Sequence, residues 1–131
     1  MTMSPLHRRV AAEPASVPAL RSAVAAFAER CGIRGGRLHD VRLAVSEAVT
    51  NAVVHAYRDP AGCGDIALSA RVEGDALVVE VVDEGGGLSP RGDSPGAGIG
   101  LPLIASVADD VHVDADGPAA GTTVTMRFRL A

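Results

Sequence analysis

Apolar and polar residues recur along this chain with two different periods, and the changes of period mark its elements. Val17, Leu20, Val24 and Phe27 are spaced by three and four inside "PASVPALRSAVAAFAERCGI", which predicts a helix stopped by Gly32. A longer run of the same spacing, Leu38, Val41, Val45, Val49, Ala52 and Val53, follows the glycines at 35 and 36. It predicts a second helix reaching Tyr57, ahead of Asp59-Pro60. "DIALSARVEGDALVVEVVDE" instead alternates at every second residue in each half, with Glu73-Gly74-Asp75 at its middle. That pattern predicts a hairpin of two strands, the second closed by Asp83. Residues 5 to 12 predict a short edge strand, and "LPLIASVADD" a short helix with Pro102 in its first turn. "VHVDA" and "TTVTMRFRL" predict two further strands joined through a turn at Asp116-Gly117-Pro118.

The order strand, helix, helix, strand, strand, glycine-rich loop, helix, strand, strand predicts an α/β fold. Its form is a two-layer sandwich with a mixed, largely antiparallel sheet and helices on one face. The 131 residues suit one domain, 1–131, built on a single core. Aromatic residues make up only 2% of the chain, so that core is expected to consist of Ala, Val, Leu and Ile.

Charge and composition then remove several classes of function. All 12 basic residues are arginines, which excludes the phosphate-loop lysine of Walker A. The net charge of -4 and the lack of a basic stripe with interleaved aromatics argue against direct nucleic-acid binding. No run approaches the roughly 20 apolar residues of a membrane span. Cys31 and Cys63 lack CxxC spacing and the N-terminus lacks a signal-type apolar core, so thiols in a reducing cytoplasm are expected.

Two features carry chemistry. Glu47, Asn51 and His55 stand four residues apart in "SEAVTNAVVHAY" and form one polar line along a helix that is otherwise apolar. A plain solvated edge would more often carry charges of both signs. One carboxylate, one amide and one imidazole at this spacing do not make a zinc signature. The second feature is the segment from 85 to 100, which holds 7 of the 15 glycines. Asp83-Glu84-Gly85-Gly86-Gly87 follows a strand, and Gly96-Ala97-Gly98-Ile99-Gly100-Leu101 precedes a helix. Glycines ahead of a helix let backbone N–H groups approach phosphates, so a polyphosphate ligand fits. The dinucleotide fingerprint fails, because Leu103 stands where its third glycine belongs.

"EAVTNAVVHAY", "DEGGG", "GAGIGL" and "GTTVTM" resemble, in order, the N-box, the D-x-G-x-G box, the G-x-G-x-G-L box and the last box of the GHKL ATPases, which share the Bergerat fold. Within that superfamily the chain looks like the bacterial anti-sigma factor serine kinases of the anti-sigma-F and anti-sigma-B type. The likeness extends over nearly the whole chain, with its motifs between residues 43 and 128.

The resemblance gives the polar line a destination, the triphosphate and metal of bound ATP. It implies that Asn51 offers its amide oxygen to Mg²⁺, a hard cation that prefers oxygen ligands. It makes Glu47 the general base that takes the proton of an acceptor hydroxyl. Histidine kinases of the superfamily often carry Asn there, so glutamate points to Ser/Thr transfer or hydrolysis. Asp83 would accept a hydrogen bond from the adenine amino group, with Thr122 supporting the same edge. Gly85 and Gly87 would pass close to the base, while Gly96, Gly98, Gly100 and Leu101 frame the phosphates. His55 is left with two roles, a phosphate contact or helix packing. The segment between the glycine boxes, "LSPRGDSP", is shorter than the family's lid, and Arg91 is its one cation for a phosphate.

The implied activity is that of an ATP-dependent serine/threonine kinase which holds a sigma factor and phosphorylates an anti-anti-sigma protein. The alternative is an ATP-binding regulatory module without transfer activity, which the short lid favours. The likeness also implies a homodimer, for which the apolar face of the first helix or the edge strand would serve.

Overall fold

A computed structural model describes residues 3–58, 64–83, 101–114 and 122–130. Strand β1 (Leu6–Ala11) leads into helices α1 (Ser16–Arg30) and α2 (Gly35–Arg58). Strands β2 (Asp65–Glu73) and β3 (Ala76–Asp83) form the hairpin, and α3 (Leu101–Val107), β4 (Asp110–Asp114) and β5 (Thr122–Arg129) complete the order. The sheet runs β1-β2-β3-β5-β4. Every pairing in it is antiparallel, so the mixed sheet allowed by the sequence is antiparallel throughout the described residues.

Local chemistry sets the breaks. At the end of α1 the Gly32 N–H donates to the Glu29 carbonyl and the Ile33 N–H to the Ala28 carbonyl, each at 3.0 Å. This Schellman closure needs a left-handed residue, which Gly32 supplies at φ +96°. It also turns Ile33 inward, where only 3% of it is exposed. In the hairpin Glu73 pairs with Ala76, so the loop is Gly74 and Asp75 alone, with φ +61° at Gly74. Positive φ at the first loop position is what a type II′ turn requires.

The two periods bury what they were expected to bury. Val41, Ala44, Val45, Ala48, Val49, Ala52 and Val53 of α2 are at most 5% exposed. They meet Leu20, Val24 and Phe27 of α1, and on the sheet Ile66, Leu68, Leu77, Val79, Val81, Met126 and Phe128. Both phenylalanines of the chain lie in this cluster, which is otherwise made mainly of small and branched aliphatics. The apolar face of α1 is thus used up inside the domain. Of the two surfaces named for a second copy, only the edge strand β1 is left.

The predicted helix over 101–110 is shorter than expected, ending at Val107. The sheet takes over its last residues: the Asp109 N–H donates to the Arg127 carbonyl at 2.9 Å, and Asp110 pairs with Arg127. The Asp109 carboxylate accepts the Arg129 N–H at 2.6 Å and the Arg37 guanidinium at 2.5 Å. These two donors, the backbone N–H first, hold the Asp109 carboxyl below the usual carboxylate range. A carboxyl with a lower pKa folded than unfolded stabilises the fold above about pH 4, and that contribution disappears as pH falls through the folded value. Asp109→Asn is therefore expected to flatten the loss of stability below about pH 4, read by urea unfolding as the pH is lowered.

Candidate functional site

Helix α2 fixes the first part of the site. Its buried stripe leaves Glu47 and Asn51 half-buried on the flank, four residues apart on one side. His55 continues that line along the helix backbone, and its side chain lies outside the described residues. One residue before Glu47, the Ser46 hydroxyl accepts the Arg21 guanidinium at 3.3 Å, tying α1 to α2 at this level. Nothing in the sequence pointed to that bond, because 25 residues separate its partners.

The second part lies at one end of the sheet. Leu77, Val79, Val81 and Asp83 share the helix-facing side of β3 by strand alternation. The apolar row thus ends in a carboxylate that is only 3% exposed. Directly across the ladder from Asp83 stands Thr122, and on its other side Ile66, itself fully buried. Thr122 Oγ1 is sealed from solvent and has no hydrogen-bond partner among the described residues. Buried hydroxyls without a partner are costly, by roughly 1–3 kcal/mol, and so point to a ligand or a water that supplies one.

Helix and sheet are joined at the opposite end. The Arg37 guanidinium, in the first turns of α2, donates to the Arg129 carbonyl at 3.1 Å, at the far end of β5 from Thr122. From there α2 packs against β3 and β5. Asn51 comes fourteen residues after Arg37, roughly 21 Å of helix at 1.5 Å per residue. The seven steps from Arg129 back to Thr122 span roughly 23 Å of strand. The two lengths are comparable.

Gly85, Gly87, Arg91, Gly96, Gly98 and Gly100 lie outside the described residues, and of Leu101 only its place as the first residue of α3 is described. The structure places Glu47 and Asn51 on one flank of α2, and Asp83 and Thr122 opposite each other at one end of the sheet. The donor set is two carboxylates, an amide and a hydroxyl, all oxygen-bearing groups suited to a hard cation and a hydrogen-bonding base.

A family model described as the histidine kinase-like ATPase domain matches residues 10–128. The chain belongs to that family. An anti-sigma F factor of Clostridium acetobutylicum is 32% identical over 122 residues, covering 85% of this chain and 83% of the relative. A serine-protein kinase RsbW of Bacillus licheniformis is 32% identical over 130 residues, covering 88% of this chain and 79% of the relative. Among solved structures, the RsbU and RsbW domains of Rv1364c from Mycobacterium tuberculosis superpose with a TM-score of 0.76 at 25% identity. That match covers 97% of this chain and 32% of the Mycobacterium chain. The histidine kinase-like fold expected from the four boxes is thereby shown, as is the likeness to anti-sigma serine kinases. No helix among the described residues is long and apolar enough to cross a membrane.

Proposed function

We propose that this protein is an ATP-dependent anti-sigma factor that phosphorylates a serine or threonine on an anti-anti-sigma partner, working in the cytoplasm as a homodimer. The observation that carries the nucleotide part is the pair at the end of β3 and β5. A buried carboxylate faces a buried hydroxyl whose oxygen has no partner among the described residues. Adenine presents a donor, its amino group, beside an acceptor, its ring nitrogen. Asp83 takes the first and Thr122 donates to the second, directly or through a water.

Asn51 offers Mg²⁺ its amide oxygen, half-buried on α2. When bound, that ion neutralises phosphate charge and fixes the orientation of the triphosphate. Glu47, one helical turn away, removes the proton from the incoming hydroxyl. A hydroxyl is a poor nucleophile at neutral pH, so a base at this place separates a kinase from a holder of ATP. By the family likeness, the glycines at 85, 87, 96, 98 and 100 and Leu101 contact base and phosphates, with Arg91 as a cation and His55 on a phosphate or packing the helix. These assignments rest on the family likeness together with the facing pair of Asp83 and Thr122.

Incubating the protein with terminally labelled ATP and a candidate anti-anti-sigma protein tests the whole reading. Label is expected on a serine or threonine of the partner. A partner that stays unlabelled while ATP binds reduces the protein to a nucleotide-binding module.

A further inference from the structure

At the end of the sandwich away from Asp83, the molecule carries a second concavity. It has a volume of about 460 Å³ and is lined by Gly32, Ile33, Arg34, Arg37, Asp109, Arg129 and Leu130. Three arginines and one aspartate give it a formal charge of +2 in a protein whose net charge is -4. The aspartate does not neutralise it evenly. Asp109 is committed to Arg37 and to the Arg129 backbone N–H. The guanidinium groups of Arg34 and Arg129 make no hydrogen bond among the described residues. Arg34 and Arg129 are exposed at the rim, whereas Ile33, 3% exposed, and half-buried Leu130 form an apolar floor.

The shape is held by short-range bonds rather than by the arginines that face outward. The Schellman closure at Gly32 fixes Ile33, the Arg37–Asp109 pair locks α2 to the turn before β4, and the Leu130 N–H donates to the Asp75 carbonyl at 2.8 Å. A fixed cup with two free planar cations above an apolar floor is suited to carboxylates on a polypeptide that also has apolar side chains to bury. Nucleic acid is disfavoured by the overall negative charge and by the absence of any aromatic ring in the lining.

We infer that this cup docks an acidic segment of a protein partner, with its carboxylates on Arg34 and Arg129 and an apolar side chain on Ile33 and Leu130. It lies roughly 23 Å along β5 from Thr122, so a partner seated there leaves the nucleotide end open. The inference does not depend on the nucleotide reading.

The test uses fluorescence polarisation of a labelled peptide of alternating glutamate and leucine, titrated with the full-length protein. Binding is expected, falling at least tenfold in Arg34→Glu/Arg129→Glu and weakening as salt is raised. Arg37 is left intact because its bonds hold the cup together, and thermal unfolding checks that the double variant is folded. Arg8→Glu, an exposed arginine on β1 outside the cup, is expected to leave binding unchanged. Equal loss in Arg8→Glu would overturn the inference, since the attraction would then be diffuse. So would binding of inorganic phosphate but not the peptide, which makes the cup a free-anion site. Tighter binding of a single-stranded oligonucleotide of equal charge would overturn it as well. ATP titrations of the same double variant keep this outcome separate from that of the nucleotide reading.

Discussion

Asp83→Ala is expected to weaken ATP binding roughly 100-fold while leaving a folded protein. The carboxylate is 3% exposed and lies across the ladder from a hydroxyl with no partner among the described residues, so a base seated there loses a charge-assisted bond made out of water. Such bonds contribute about 1.5–3 kcal/mol, and the Thr122 hydroxyl would then have to hold the base edge alone. An affinity loss of roughly 100-fold follows from the upper part of that range. Isothermal titration with ATP and magnesium measures it, and thermal unfolding of the same sample confirms the fold. A variant that binds ATP as well as the parent would place the base elsewhere.

Glu47→Gln is expected to do the opposite, keeping ATP and losing turnover. Glutamine fills the same space on the flank of α2 but takes no proton, so the packing of Val45, Ala48 and Val49 is undisturbed. Loss of a positioned general base costs roughly 10²- to 10⁴-fold in rate. Phosphorylation of the partner at saturating ATP should fall within that range, with the nucleotide dissociation constant unchanged. If the parent and Glu47→Gln label a partner equally, Glu47 is a helix-edge residue and another group accepts the proton. The short segment between the glycine boxes bears on the same comparison. A parent that binds ATP yet transfers no label would favour the regulatory module over the kinase.

Much of this arrangement was legible in the sequence, for reasons that differ between elements. Glu47, Asn51 and His55 could be aligned because a helix repeats locally, and the line needs no knowledge of the rest of the fold. The hairpin pattern closed the second strand at Asp83, and the structure then put that carboxylate at the end of the helix-facing row Leu77, Val79 and Val81. Its partner across the ladder was not legible. The pairing of Asp83 with Thr122 depends on the register between β3 and β5, which alternation on either strand leaves open by two-residue steps.

Long-range polar bonds were the least legible. Arg37 and Asp109 lie 72 residues apart, and each looked like an ordinary surface charge. Arg37 ties the start of α2 to the turn before β4 through Asp109 and to the end of β5 through the Arg129 carbonyl. The Arg21–Ser46 bond is of the same kind. The cup around Arg34 and Arg129 also has no sequence signature, since its lining comes from the α1–α2 connection, the turn before β4 and the end of β5.

The central claim is that one end of this sandwich holds an adenine nucleotide by the buried carboxylate at the end of β3. Calorimetric titration of the unaltered protein with ATP and then with ITP, each with magnesium, addresses it directly, because ITP carries an oxygen where adenine carries its amino group. Binding of one ATP per chain, with ITP weaker by roughly 100-fold, is the expected result. No heat with ATP, or equal affinity for the two, would contradict it.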